Sequence, residues 1–156
     1  MGKEIERKFT VLSDSWRTDV QSSLRYRQGY LASDPSCSVR VRVDGTHATL
    51  NIKSATLGIE RSEYEYEIPL NEANEMLNTL CHAPIIEKTR HFVPHGAHCW
   101  EIDVFEGENA GLVVAELELT HADEGFERPD WLGEDVSMDS RYYNVCLVTH
   151  PFKDWS

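Results

Sequence analysis

Charged residues in this chain stand two apart and sorted by sign. Glu4/Glu6, Glu63/Glu65, Glu101/Asp103 and Glu116/Glu118 are carboxylate pairs, while Arg40/Arg42 and Lys88/Arg90 are cationic pairs with the same spacing. In a strand, residues i and i+2 share a face, so each pair crowds like charges together. The repulsion grows where water is excluded, unless a counter-charge is supplied. A divalent cation is such a counter-charge for carboxylates. Mg²⁺ and Mn²⁺ take carboxylate oxygens and waters and complete their shells with substrate phosphates. Clustered Arg and Lys are the usual partners of phosphate oxygens, Arg through its bidentate fork. Acids that hold a metal and bases that hold phosphate together imply a polyanionic phosphate ligand.

The elements that must position these groups are strands. A period of two predicts strands over 3–11, 25–32, 38–44, 47–54, 61–68, 85–92, 98–106 and 112–120. In the first, Glu4, Glu6 and Lys8 oppose Ile5 and Phe9; "SVRVRVD" sets Arg40 and Arg42 against Val39, Val41 and Val43. In "IEKTRHF" Lys88 and Arg90 share a face, but the other face (Glu87, Thr89, His91) is polar too. "DG" at 44–45 and "PHGAH" at 94–98 read as turns. Ala73, Met76, Leu77 and Leu80 recur at helical spacing, with Asn71 as the expected cap. Weaker helical patterns cover Trp16–Leu24 and Ser140–Leu147. Two architectures fit this alternation. One is a sheet with its charged faces in water; the other is a barrel with charges in the lumen and helices outside. About eight strands enclose room for one small ligand. Periodicity alone leaves both open.

At 156 residues the chain is long enough for one domain over 1–156 with a substantial core. Its net charge of −12, from 15 basic and 27 acidic residues, disfavours nucleic acid and acidic membranes as partners. No apolar run approaches membrane-spanning length. Cys37, Cys81, Cys99 and Cys146 are widely spaced and form no Cys-x-x-Cys pair, which suits reduced thiols in a cytoplasmic protein. His95, His98 and Cys99 in "HGAHC" read as a hairpin loop rather than a zinc site, since adjacent strand residues point to opposite faces.

The charged segments also form an ordered series. "EIERKF" resembles the ExExK signature of the CYTH superfamily, the triphosphate tunnel metalloenzymes. The likeness continues through "RQGYL" (27–31), "VRVR" (39–42), "NIKS" (51–54), "SEYEYEI" (62–68), "EKTR" (87–90), "EIDVF" (101–105), "AELEL" (115–119), "WLGEDV" (131–136) and "RYYN" (141–144). What this resemblance implies is an α+β fold: an eight-stranded antiparallel β-barrel forming a tunnel, with a charged interior and helices packed on the outside. Carried over position by position, it implies Glu4, Glu6, Glu116 and Glu118 as carboxylates for Mg²⁺ or Mn²⁺, with Asp103 a tunnel acid of the same kind. Lys8, Arg40, Arg42, Lys53, Lys88 and Arg90 become triphosphate-binding cations, with Arg61 and Arg141 as further phosphate contacts. Glu63 and Glu65 match acids that help place metal, water or a basic neighbour. Catalysis is expected to rest on Lys8 with Glu4, Glu6, Glu63 and Glu65. Ser140 stands where short bacterial relatives are expected to carry lysine. The implied activity is metal-dependent hydrolysis of a small-molecule triphosphate, first of all inorganic tripolyphosphate to pyrophosphate and phosphate. An adenylyl cyclase, a thiamine or nucleoside triphosphatase, and a non-catalytic polyphosphate- or nucleotide-binding module are the alternatives. A homodimer is a further expectation of the family.

Overall fold

The structure is a computed structural model and describes residues 3–34, 36–54 and 58–155. Its strands are β1 (Glu4–Val11), β2 (Ser22–Ser33), β3 (Cys37–Asp44), β4 (His47–Ser54), β5 (Glu60–Arg61), β6 (Glu63–Glu67), β7 (Ile86–His95), β8 (His98–Phe105), β9 (Val113–Glu118) and β10 (Leu132–Asp135). Among the described residues two α-helices, α1 (Leu70–Thr79) and α2 (Asn144–Thr149), accompany them. The sheet runs β10-β1-β9-β8-β7-β2-β3-β4-β6, and β5 pairs with β1. Only Ser62 separates β5 from β6, so one interrupted segment joins β4 to β1 and closes the barrel.

This explains the difference from eight expected strands. The segment read as 61–68 is broken, because its first residues pair with β1 while the rest pair with β4. β10, which the alternation did not reveal, adds only to the far end of β1, where Phe9 faces Asp135 and Val11 faces Leu132. Counting β5 and β6 as one and setting β10 aside leaves eight antiparallel strands around the lumen.

The apolar core lies outside that lumen. Ile5, Phe9, Trp100, Ile102, Ala115 and Leu117 on the outer faces of β1, β8 and β9 pack under Trp16 and Trp131. Val41, Val43 and Ala48 of β3 and β4 pack under Ala73 and Leu77 of α1. At Gly29, a Cβ would come within 2.8 Å of the Cys81 Cβ, so the glycine permits the close approach of the chain leaving α1. Coverage is incomplete, since Tyr64 and Tyr66 on the outside of β6 are 50% and 56% exposed.

Helical boundaries moved from the expected ones. Trp16–Leu24 forms only a 3₁₀ turn over Ser15–Asp19 before β2 begins at Ser22. The buried Trp16 indole, 5.2 Å from the His91 ring, anchors that turn to β7. α1 is capped by extended Pro69 rather than by Asn71, and the Pro69 carbonyl accepts from the Ala73 N–H. The Ser140–Leu147 pattern is a 3₁₀ turn over Ser140–Tyr142 followed by α2. The polar outer face of β7 is satisfied across strands: Glu87 faces Arg25 and Arg27, and His91 Nδ1 lies 2.7 Å from Ser23 Oγ. All four cysteines are free thiols, and among the described residues no helix is long and apolar enough to cross a membrane.

Candidate active site

Period-two strands closed into a barrel send their charged faces inward, around a cavity of about 440 Å³. Among the described residues seven cations line it: Lys8, Arg40, Arg42, Lys53, Arg61, Lys88 and Arg90. Glu4, Glu6, Glu63, Glu65, Glu101, Glu116, Glu118 and Asp44 line it too. Burying so many charges is tolerable only if they are paired or if a ligand completes them.

Register explains one wall. Glu116 on β9 lies opposite Lys8 of β1 and opposite Glu101 of β8. Lys8 Nζ donates to Glu116 Oε2 at 2.6 Å and to Glu6 Oε1 at 3.2 Å. Arg90 reaches Glu116 at 3.0 Å, Glu101 at 3.1 Å and Asp103 at 2.8 Å. Carboxylate oxygens of Glu6, Glu101 and Glu116 all lie within 4.8 Å of one another. Their electrostatics reflect that crowding. Burial raises the Glu116 carboxyl, but Lys8 and Arg90 outweigh it and hold the group well below the usual range. Burial and then the Glu116 charge push Glu6 up. Burial takes Glu101 to about 7 although Arg90 pulls the other way. Three clustered oxygens, two of them reluctant to ionise, form a hard-donor set that fits a divalent cation such as Mg²⁺ or Mn²⁺.

The β3 wall has the opposite character. Among the described residues, Arg40 and Arg42 are the cavity cations with no carboxylate within ion-pair distance. Arg42 Nε donates to Gln28 Oε1 at 3.0 Å, whereas the buried Arg40 Nε has no hydrogen-bond partner. Burial, then Arg40 and Arg90, lower Arg42 to about 10. Lys53 is lowered to about 8 by burial and by Arg40 and Arg61, although it pairs with Glu4 and Glu63 at 3.3 Å. Uncompensated positive charge and an orphaned donor border the same cavity as the carboxylate cluster.

The C-terminal segment closes one end. Asn144, the first residue of α2, accepts through Oδ1 from Lys88 Nζ at 2.8 Å and from Gln28 Nε2 at 3.0 Å. Lys88 also donates to Asp103 at 2.7 Å, and burial lowers its ammonium to about 7 despite that partner. The Tyr143 hydroxyl donates to the Ser137 carbonyl at 2.7 Å and accepts from the Gly58 N–H at 3.0 Å. Ser140, where lysine was expected, lies in the preceding 3₁₀ turn and does not line the cavity.

Two expected positions do not reach the cavity. Asp103 is fully buried behind Lys88 and Arg90, where it holds both cations instead of facing a metal. Arg141, expected as a phosphate contact, turns outward to Asp139 at 2.7 Å, leans on the Tyr142 and Trp155 rings and does not line the cavity. Of the rest, Glu118 is exposed on the β9 rim, and Glu65 accepts from Asn51 at 2.8 Å. Glu4 is held by Lys53 and by Arg61 at 2.9 Å; burial raises its carboxyl, but those two cations bring it net below its ordinary value. Sequence reasoning had not assigned Glu101, Gln28, Tyr26 or Asn144 to the site. Glu101 was visible as half of an i,i+2 pair, but spacing does not say which half meets the cavity.

The same ordered charges are diagnostic by comparison. Residues 2–146 match the CYTH domain family. The chain belongs to it. Two curated CYTH relatives carry the name inorganic triphosphatase. The protein from Acetivibrio thermocellus is 48% identical over 155 residues, covering 99% of both chains. The one from Nitrosomonas europaea is 36% identical over 150 residues, covering 93% of this chain and 96% of its own. A solved inorganic triphosphatase structure, 35% identical, superposes with a TM-score of 0.67 over 93% of this chain and 97% of that one. A conserved hypothetical protein from Pyrococcus furiosus, 18% identical with TM-score 0.60 over 77% of this chain and 80% of that one, shares the fold. The antiparallel barrel with a charged lumen is thus the CYTH architecture expected from the sequence.

Proposed function

We propose that this CYTH chain is a divalent-metal-dependent triphosphatase that hydrolyses inorganic tripolyphosphate to pyrophosphate and phosphate. The observation that carries the reading is the polarised cavity, with Arg40 and Arg42, which among the described residues have no carboxylate within ion-pair distance, on one wall and the Glu6, Glu101 and Glu116 cluster on another. The names of two relatives similar over nearly the whole chain support the substrate.

Arg40 and Arg42 take the first phosphate oxygens, because no carboxylate competes for them. Lys53, Arg61, Lys88 and Arg90 hold the remaining charge of the chain, already aimed inward by Glu4, Glu63, Asp103 and Glu101. Glu6, Glu101 and Glu116 would hold Mg²⁺ or Mn²⁺, with Glu4 and Glu118 flanking them on β1 and β9. An ion held there would supply positive charge against phosphate oxygens and ease deprotonation of the attacking water. Lys8, between Glu6 and Glu116, holds Glu116 ionised, draws Glu6 the same way against its burial, and offers its ammonium to the phosphate. Fixed cations stabilise the charge redistributed as the terminal P–O bond breaks and pyrophosphate leaves. No side-chain nucleophile is required. A cavity lined chiefly by ionic groups suits a bare phosphate chain better than one carrying a large apolar ring.

The test is phosphate release from tripolyphosphate, ATP and thiamine triphosphate, each with Mg²⁺ and with Mn²⁺. The expected result is metal-dependent turnover with tripolyphosphate as the preferred substrate. Tight metal-dependent binding without release would instead mark a binding module, and preference for a nucleotide would overturn the substrate assignment.

A further inference from the structure

Tyr26 on β2 belongs to none of the charge pairs, yet its ring borders the cavity and is only 6% exposed. Its contacts are two guanidinium groups. Arg42 Cζ lies 4.4 Å and Arg90 Cζ 5.2 Å from the ring centroid, both within cation–π range. The two arginines differ in what else holds them. Arg90 is tied by Glu101, Asp103 and Glu116, whereas among the described residues Arg42 has only the single hydrogen bond to Gln28. A long cationic side chain with one neutral hydrogen bond, repelled by Arg40 and Arg90, needs another restraint to stay in one geometry.

An aromatic face can supply that restraint without neutralising the charge. A carboxylate in the same place would compete with phosphate for the guanidinium; a ring attracts the cation through its quadrupole and leaves its outer N–H groups free. We infer that Tyr26 is a positioning residue for the proposed triphosphatase reaction, an uncharged platform that aims Arg42 at phosphate and spaces it from Arg90. The ring does this, and the phenolic hydroxyl is dispensable. The inference rests on the triphosphatase reading of the cavity and adds a residue that its charge pattern could not reveal.

The experiment is steady-state hydrolysis of tripolyphosphate by wild type, Tyr26→Phe, Tyr26→Leu, Arg42→Met and the Tyr26→Leu/Arg42→Met double variant, with thermal melting of each. Tyr26→Phe keeps KM within about twofold of wild type, while Tyr26→Leu raises KM about tenfold with kcat within about threefold. In the Arg42→Met background the leucine substitution adds less than about twofold, because its effect passes through Arg42. Three results would overturn the inference. They are a phenylalanine variant as impaired as the leucine one, a leucine variant that retains wild-type KM or loses only kcat, and a leucine effect undiminished without Arg42. If Tyr26→Leu lacks a cooperative melt, Tyr26→Met replaces it under the same criteria. A wild type that binds but does not hydrolyse tripolyphosphate counts against the function reading alone. The variants are then compared by calorimetric Kd for tripolyphosphate, with the same fold-changes deciding for or against Tyr26.

Discussion

Arg40 and Lys8 are both buried cations of one cavity, and removing each should move stability in opposite directions. Lys8 Nζ compensates Glu116 at 2.6 Å and Glu6 at 3.2 Å, and the residue is only 7% exposed. Lys8→Met takes from buried Glu116 and Glu6 their shortest ion pairs, leaving Glu116 to Arg90 at 3.0 Å and Glu6 to Arg61 at 4.0 Å, which costs about 3–5 kcal/mol. For a chain of this length that lowers Tm by roughly 6–20 °C. Arg40→Met breaks no ion pair. It removes a buried charge and an Nε–H that has no acceptor, a group whose burial costs about 1–3 kcal/mol. Its Tm should therefore rise, by roughly 2–12 °C. Activity falls in both. Charge-assisted contacts to phosphate contribute about 1.5–3 kcal/mol each, so losing one lowers kcat/KM about 10- to 150-fold. The assay is calorimetric melting without metal or triphosphate, alongside phosphate release. Triphosphate added to wild type raises Tm through selective binding to the folded state, and Arg40→Met loses most of that increment. An Arg40→Met protein that melts well below wild type, or one with wild-type kcat/KM, would refute the reasoning that Arg40 is held unpaired for phosphate.

Glu101→Gln replaces an anionic oxygen donor of the three-carboxylate cluster with a neutral amide and should raise the apparent Kd for Mn²⁺ by about 10- to 100-fold with little change in fold, read by metal titration of activity and by calorimetry. The pH profile follows from two shifted groups. Burial raises Glu101 to about 7, so its ionised form is lost as pH falls through that value, and apparent metal affinity drops up to about tenfold per pH unit below it. Burial and neighbouring arginines lower Lys53 to about 8, so its charge is lost as pH rises past that value and kcat/KM at saturating metal falls on the alkaline side. A flat profile between pH 6 and 9, taken as roughly bracketing both groups, would contradict these assignments. Arg141→Ala should leave kcat/KM within about twofold, since its guanidinium is turned out to Asp139; a large loss would mean that it reaches substrate. Gly29→Ala forces a Cβ against Cys81 at 2.8 Å and should cost about 1–3 kcal/mol in thermal melting, with relief in a Gly29→Ala/Cys81→Gly pair.

Strand chemistry in this protein was legible because its period is short. Alternation alone grouped Glu4 with Glu6 and Lys8, and Arg40 with Arg42, since neighbours two apart must share a face. It could not say which face was inside. That direction came from the sign-sorted charges and their ordered likeness to the CYTH series, which a solvent-facing sheet has no reason to carry. The barrel, its charged lumen and its outer apolar core followed. What stayed hidden depends on pairing between distant strands. The interruption at Ser62 arises because β5 and β6 choose different partners, and β10 exists only because β1 offers it an edge.

Within the site, sequence determined which residue types meet, and tertiary structure decided what each one faces. Glu101 and Asp103 are equivalent by spacing, yet register sets Glu101 opposite Glu116 and sinks Asp103 between Lys88 and Arg90. Arg141 matched a motif, but the turn that carries it points its side chain away from the lumen. Tyr26 belongs to no motif in the sequence, and only the fold sets two guanidiniums on its ring. The physical reason is common to all three. A side chain's face is a local property of the backbone, whereas its partner, its burial and hence its charge are set by what other strands bring within a few ångströms.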